Sequence, residues 1–193
     1  LPPQGYAISV RHEVINNGQA SIAPQLYLQL TRDGNKPPGD SMFYSTFTGP
    51  AFYSAEKKYQ KVEFKDIEKI NDPEAKFERK TEQGYVAMVQ HYFASAWLPD
   101  DANKNQKVSR ENFVSNLGHN LYAAGLKTQL ATIAPGQHAS FDSRLFVGPQ
   151  QEKMLEAIYP GLEAVKKNRD FTLFFQPPFF LGELLPSPRA QQG

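Results

Sequence analysis

The 193-residue sequence contains no cysteine. Disulfides, thiolate zinc sites and cysteine nucleophiles are excluded together, while the compartment stays open. Neither charge is in excess: 21 Lys and Arg against 20 Asp and Glu leave a formal net charge of +1. A nucleic-acid partner, which needs a concentrated basic face, is therefore not expected. No run approaches the ~18 apolar residues of a membrane span. The opening "LPPQGYAISV" has neither the basic start nor the apolar stretch of a signal peptide. That leaves either a mature soluble protein or the interior of a longer one. GxSxG, P-loop and GxGxxG motifs are all missing.

Aromatic residues and turn formers are abundant. Fourteen Phe, nine Tyr, 15 Pro and 13 Gly favour strands and turns over long helices. In residues 6–15, Tyr6, Ile8, Val10, His12 and Val14 alternate with Ser9, Arg11 and Glu13, which predicts a half-buried strand. Asn16-Asn17-Gly18 follows as a turn, and Leu26, Leu28 and Leu30 alternate again, so a β-hairpin is expected. Residues 31–41 read as a loop. The charged stretch 56–70, with Val62, Phe64 and Ile67, reads as a solvated surface strand or short hairpin. Residues 71–84 read as a polar connection and 100–112 as a polar hairpin loop. Strand-like segments at 113–133 and 137–149 are joined by Ala134-Pro135-Gly136.

One segment resists pattern reading. In "GYVAMVQHYFASAWLP" (84–99), Tyr85, Met88, Val89, Tyr92, Phe93, Ala96 and Trp97 form a helical stripe. Its aromatic density, Pro99 and strand-rich neighbours argue equally for β structure. A short C-terminal helix is clearer, with Pro149 as its first residue, Gln151 and Glu152 in its first turn, and Met154, Leu155, Ile158 and Leu162 as its apolar face. Pro160-Gly161 should stop or kink it. Beyond lies "FTLFFQPPFFLGELL" (171–185), and then "PSPRAQQG", which is expected to be disordered.

The four histidines, His12, His91, His119 and His138, have no metal-ligand spacing. His91 could act as a general base, but a histidine among aromatic residues is more often a hydrogen-bonded packing residue. Glu152 and Glu156 share a helical face at a spacing common on any solvated helix. No catalytic, cofactor-binding or metal residue is assigned.

The 84–99 segment resembles the strand-forming segment of the large periplasmic domain in the YidC family of bacterial inner-membrane protein insertases. Blocks 47–64, 116–150 and "FFQPPFF" (174–180) resemble the family in the same order, as does "GYAISVRHEVINNG" near the start. The resemblance implies a mainly β fold: a portion of a galactose mutarotase-like β-supersandwich with a short C-terminal helix. Residues 84–99 would then be a buried strand with Trp97 in the core and His91 a packing residue. Residues 1–148 would form the partial periplasmic domain, 149–170 the C-terminal helix and connector, and 171–193 an aromatic membrane-interface-like segment with its tail.

The resemblance further implies a non-catalytic role in membrane-protein insertion and folding, without cofactors. The expected location is the bacterial inner membrane, with this portion facing the periplasm. Expected partners are the Sec translocon accessory subunits SecD and SecF, nascent membrane proteins, and the membrane surface. Phe171, Phe174, Phe175, Phe179 and Phe180 would rest in the membrane interface, aided by Lys166, Lys167 and Arg169. The family's insertion groove lies between transmembrane helices that are not among these 193 residues. After Leu162-Glu163 and again after Leu181 the sequence departs from the family pattern. A carbohydrate-binding or mutarotase-like module is the alternative suggested by the fold, although fold does not carry function. An unrelated β-sandwich adhesin is a third.

Overall fold

A computed structural model describes residues 5–37, 46–69, 76–100 and 109–167. Two antiparallel sheets face each other, and a short helical layer covers the outer face of the larger one. The strands are β1 (Ala7–Ile15), β2 (Gln25–Asp33), β3 (Gly49–Ser54), β4 (Lys58–Lys61), β5 (Lys80–Thr81), β6 (Tyr85–Gln90), β7 (Phe93–Pro99), β8 (Arg110–Gly118), β9 (Leu121–Gln129) and β10 (His138–Pro149). The helices are α1 (Phe64–Glu68), α2 (Glu152–Ile158) and α3 (Ala164–Lys167). The six-stranded sheet runs β1-β10-β7-β6-β3-β4 and the four-stranded sheet β2-β9-β8-β5. The mainly β sandwich with a short C-terminal helix is as expected.

The ambiguous 84–99 segment is extended, but as two strands rather than one. β6 and β7 pair antiparallel, Gln90 opposite Phe93, around a two-residue turn at His91-Tyr92. Its double periodicity has a physical cause: the six-stranded sheet is covered on both faces. Tyr85, Ala87 and Val89, with Ala94, Ala96 and Leu98, pack under Leu155, Ile158 and Leu162 of the helical layer. Val86, Met88 and Trp97 point the other way, into a second core with Leu28, Leu126 and Phe52. A strand buried on both faces reads as a continuous apolar run, and such a run also satisfies a helical template. The alanines on the outer face let the helices approach closely.

Aromatic packing and two glycines lock α2 to the sheet. Tyr85 stacks on Tyr53 with ring centroids 5.2 Å apart and meets Tyr159 edge-on at 5.8 Å. Its hydroxyl donates to the Gly161 carbonyl at 3.0 Å, and burial holds its pKa well above the ordinary tyrosine value. Gly161 (φ 93°) lies where a Cβ would come within 2.4 Å of the Tyr53 ring. Gly84 (φ 125°) lies where one would come within 1.8 Å of the Tyr53 carbonyl oxygen. Only glycine fits either position.

The expected hairpin of residues 6–15 and 26–30 does not form. β1 pairs with β10 and β2 with β9, in different sheets. Asn16 is buried, and it ties two sheet-to-sheet connectors together. Its side-chain amide donates to the carbonyls of Ala20 (2.9 Å) and Ile133 (2.8 Å), and its Oδ1 accepts from Gly18 N–H (2.9 Å). Ile22 and Ile133 exchange both backbone hydrogen bonds at 3.0 and 2.8 Å. The segments β1–β2 and β9–β10 are therefore one long ladder that bends from one sheet into the other.

Several other expectations need correction. The 100–112 stretch joins β7 to β8 across the two sheets and is no hairpin loop, and residues 110–112 already belong to β8. Residues 113–133 are two strands around a turn at His119-Asn120, both at positive φ, as is Gly118. In 56–70, Val62 and Ile67 are fully buried, and α1 occupies residues expected to be extended. Their burial under the four-stranded sheet outweighs the surrounding charge. Pro149 is the last residue of β10, not the first of a helix, and α2 begins at Glu152. The expected apolar face of Met154, Leu155, Ile158 and Leu162 is buried as expected. Ile8 is exposed although it alternates in phase with Val10, because the covering sheet does not reach it.

Trp97 is partly buried on the second core and donates its indole N–H to the Gln29 carbonyl at 3.1 Å. Trp97→Ala is expected to destabilise by about 3 kcal/mol in urea unfolding, through the cavity and the carbonyl left without its donor. Asn16→Ala should cost about 1–2 kcal/mol in the same measurement, since the side-chain bonds to Ala20, Ile133 and Gly18 are lost while the Ile133 carbonyl keeps the Ile22 N–H. A loss below about 0.5 kcal/mol would show that Asn16 does not hold the bend.

Candidate functional site

The histidines are dispersed. His12 (β1) lies 6.3 Å from Trp97 between ring centroids, with Nε2 3.5 Å from Ser143 Oγ. His119 is in the β8–β9 turn. His138 opens β10, its Nε2 3.9 Å from the Glu13 carboxylate on an exposed face. His91 sits in the β6–β7 turn at φ 23°, its Nδ1 2.8 Å from Thr46 Oγ1 and its ring against Tyr92. That bond and that positive φ give His91 a part in holding the turn. Glu156 is exposed on α2. Among the described residues, no group of three or more His, Cys, Asp or Glu could hold a metal ion.

The β6–β7 turn carries no glycine or asparagine, so its shape comes from outside. Gln150 clamps it: its backbone N–H donates to the Tyr92 carbonyl at 2.8 Å, and its side-chain amide donates to the carbonyls of Phe93 (2.8 Å) and Gln90 (3.3 Å). With the turn held, Tyr92 and Phe93 are presented outward, 59% and 52% exposed. No sequence signal marked this turn.

Beside it opens a cleft of about 480 Å³ between α1, the 34–36 loop and residues 46–48. Its ionisable lining is Lys36, Lys61, Lys65 and Lys76 against Glu63 and Asp66, a net +2. Lys61 Nζ lies over the Phe47 ring, 5.2 Å from its centroid, and Lys76 reaches Asp66 at 3.8 Å. A basic cleft of this kind favours anions. These lysines are scattered over some forty residues, which is why no charge run announced them. A second cleft, of about 480 Å³, lies at the β3–β4 turn and is lined by Glu56, Glu78, Glu82 and Lys80. Phe171, Phe174, Phe175, Phe179 and Phe180 lie outside the described residues. Among the described residues no helix is long and apolar enough to cross a membrane.

Comparison with known proteins is consistent along the chain. The family described as YidC periplasmic domain matches residues 1–181. A membrane protein insertase YidC from Janthinobacterium sp. (strain Marseille) is 49% identical over 178 residues, covering 91% of this chain and 30% of that protein. The protein of the same name from Cupriavidus metallidurans is 46% identical over 180 residues, covering 93% and 31%. That from Ralstonia nicotianae is 47% identical over 178 residues, covering 92% and 31%. The chain thus spans about 30% of the length of the curated relatives it matches. With a family match over nearly all its residues and a sandwich of the expected class, the chain belongs to the YidC periplasmic domain family.

Proposed function

We propose that the chain is part of the periplasmic domain of an inner-membrane protein insertase and assists insertion and folding of membrane proteins without catalysing a reaction. The observation that carries this reading is the family match over residues 1–181, joined to relatives that bear the insertase name. Residues 1–148 form its share of the sandwich, 149–170 the helix and connector, and 171–193 a membrane-interface segment and tail. Its partners are nascent membrane proteins and the accessory subunits SecD and SecF. Among the described residues β1 and β2 are sheet edges, a geometry that suits strand addition by extended polypeptide. No relative cited above bears a sugar-active name, and no observation favours the carbohydrate module.

Substituting this chain for the matching stretch of a relative's insertase tests the reading in cells depleted of their own insertase. Membrane-protein insertion is expected to be restored to at least half the parental level, while aldose anomerisation by the purified chain stays at the buffer rate. Turnover of an aldose that disappears in His91→Ala would overturn the non-catalytic reading.

The interface role of Phe171, Phe174, Phe175, Phe179 and Phe180 has its own test. Aromatic rings are favourable at headgroup level, and Lys166, Lys167 and Arg169 precede them. Flotation with anionic vesicles should show salt-sensitive binding that falls several-fold when residues 168–193 are removed. Equal binding by both versions would mean that the segment is not an anchor.

A further inference from the structure

Strand directions gather four chain segments at one end of the sandwich. β2 stops there at Asp33, opposite Leu121 at the start of β9. Gly34 N–H donates to the Asn120 carbonyl at 3.0 Å, so the 34–36 loop and the β8–β9 turn sit together. Thr46, which holds His91, lines the same cleft as Gly34 and Lys36, and so brings the β6–β7 turn to this end. Nine large hydrophobic side chains are exposed among the described residues. Six of them, Ile8, Tyr92, Phe93, Leu117, Leu121 and Val147, lie on these turns or on the rim beside them. Ile8 and Val147 belong there because β1 starts, and β10 ends, alongside Phe93. The four-lysine cleft lies at the same end, joined to these turns through Gly34 and Thr46.

We propose that this end of the sandwich is a docking surface for an anionic lipid interface. It rests on the reading of the chain as one that works against the inner membrane, but not on the anchoring role of residues 171–181. Exposed apolar side chains gathered in one region mark an interaction site more often than chance. These sit in or beside the turns and strand ends of both sheets instead of lining one groove, which suits a broad partner better than a single peptide. Tyr92 and Phe93 are side chains that favour headgroup level, and Leu117 and Leu121 gain by reaching the acyl boundary. Lys65 pairs with Glu63 and Lys76 with Asp66, so the cleft's net +2 is what Lys36 and Lys61 add to its lining, and it favours phosphate. The Gln150 clamp holds the aromatic turn before contact, so little ordering is lost on docking.

The test uses the full chain with vesicles of phosphatidylethanolamine and phosphatidylglycerol, and pure phosphatidylcholine as the uncharged control. Tyr92→Ser with Phe93→Ser, and Leu117→Ser with Leu121→Ser, should each lower binding about tenfold with an unchanged thermal melt. Lys36→Gln with Lys61→Gln should lower it by roughly fivefold per lysine at low salt, about 1 kcal/mol each, and abolish the preference for phosphatidylglycerol. A separate readout does not depend on a loss of binding. Tyr92→Trp should show a blue-shifted emission component on vesicles that brominated lipid quenches, while Trp97, already packed, does not respond. If removing residues 168–193 abolishes binding while all three double variants bind as the parent does, the tail alone is the anchor. That result overturns this surface and leaves the proposed function standing. Equal binding to phosphatidylcholine, or binding to polyglutamate in place of vesicles, would also overturn it.

Discussion

The burial of β6 on both faces is the constraint from which the rest of the architecture follows. Tyr85 through Val89 are all buried, the odd positions under α2 and the even ones against the four-stranded sheet. A strand without a wet side needs two covering layers, so neither the helices nor the second sheet is optional. The outer layer can sit close because Ala87, Ala94 and Ala96 are small, and its position is set where Tyr85 reaches the Gly161 carbonyl. The inner layer is set by Trp97 and its bond to the Gln29 carbonyl on β2. Both covers are thus keyed to the same pair of neighbouring strands.

The two sheets are held in register by a bent ladder rather than by a hairpin. Asn16, with its amide on the Ala20 and Ile133 carbonyls, cross-links the two connectors beside the Ile22–Ile133 backbone bridge. The same bend explains why β1 and β2 are both edges. One continuous ladder lends one strand to the border of each sheet. Surface ion pairs such as Arg11 with Asp142 decorate this border; the guanidinium pulls the carboxyl below its usual range, but both groups are solvent-exposed and add little to the fold.

The histidines, the two clefts and the exposed apolar side chains are distributed over different parts of the sandwich. His91 lies in a turn beside Thr46, His12 beside Ser143, and His138 beside Glu13 on an exposed face. The two ends of the sandwich differ in character. One gathers turns with exposed aromatic and leucine side chains and the lysine-lined cleft, and the other holds the connectors and a cleft rich in glutamate. An asymmetry of this kind suits a domain that works beside a membrane, where one end and not the other meets a charged, partly apolar boundary.

By itself the sequence determined the composition-level class, the half-buried alternation of residues 6–15, the apolar face of α2 and, through extended resemblance, the family. These are properties of local period or of long matched blocks, and both are written in consecutive residues. Partners of strands are not. Asn16-Asn17-Gly18 has turn chemistry, yet the chain beyond it crosses to the other sheet, where β1 on β10 and β2 on β9 form two nine-residue ladders in place of the one a hairpin would give. His91-Tyr92 has no turn chemistry, yet it turns because Gln150 and Thr46 hold it from distant parts of the chain. Lys36, Lys61, Lys65 and Lys76 form a cleft only after folding. Their charges are diluted among neighbours in sequence, and tertiary structure concentrates them because electrostatic potential depends on distance in space rather than on distance along the chain.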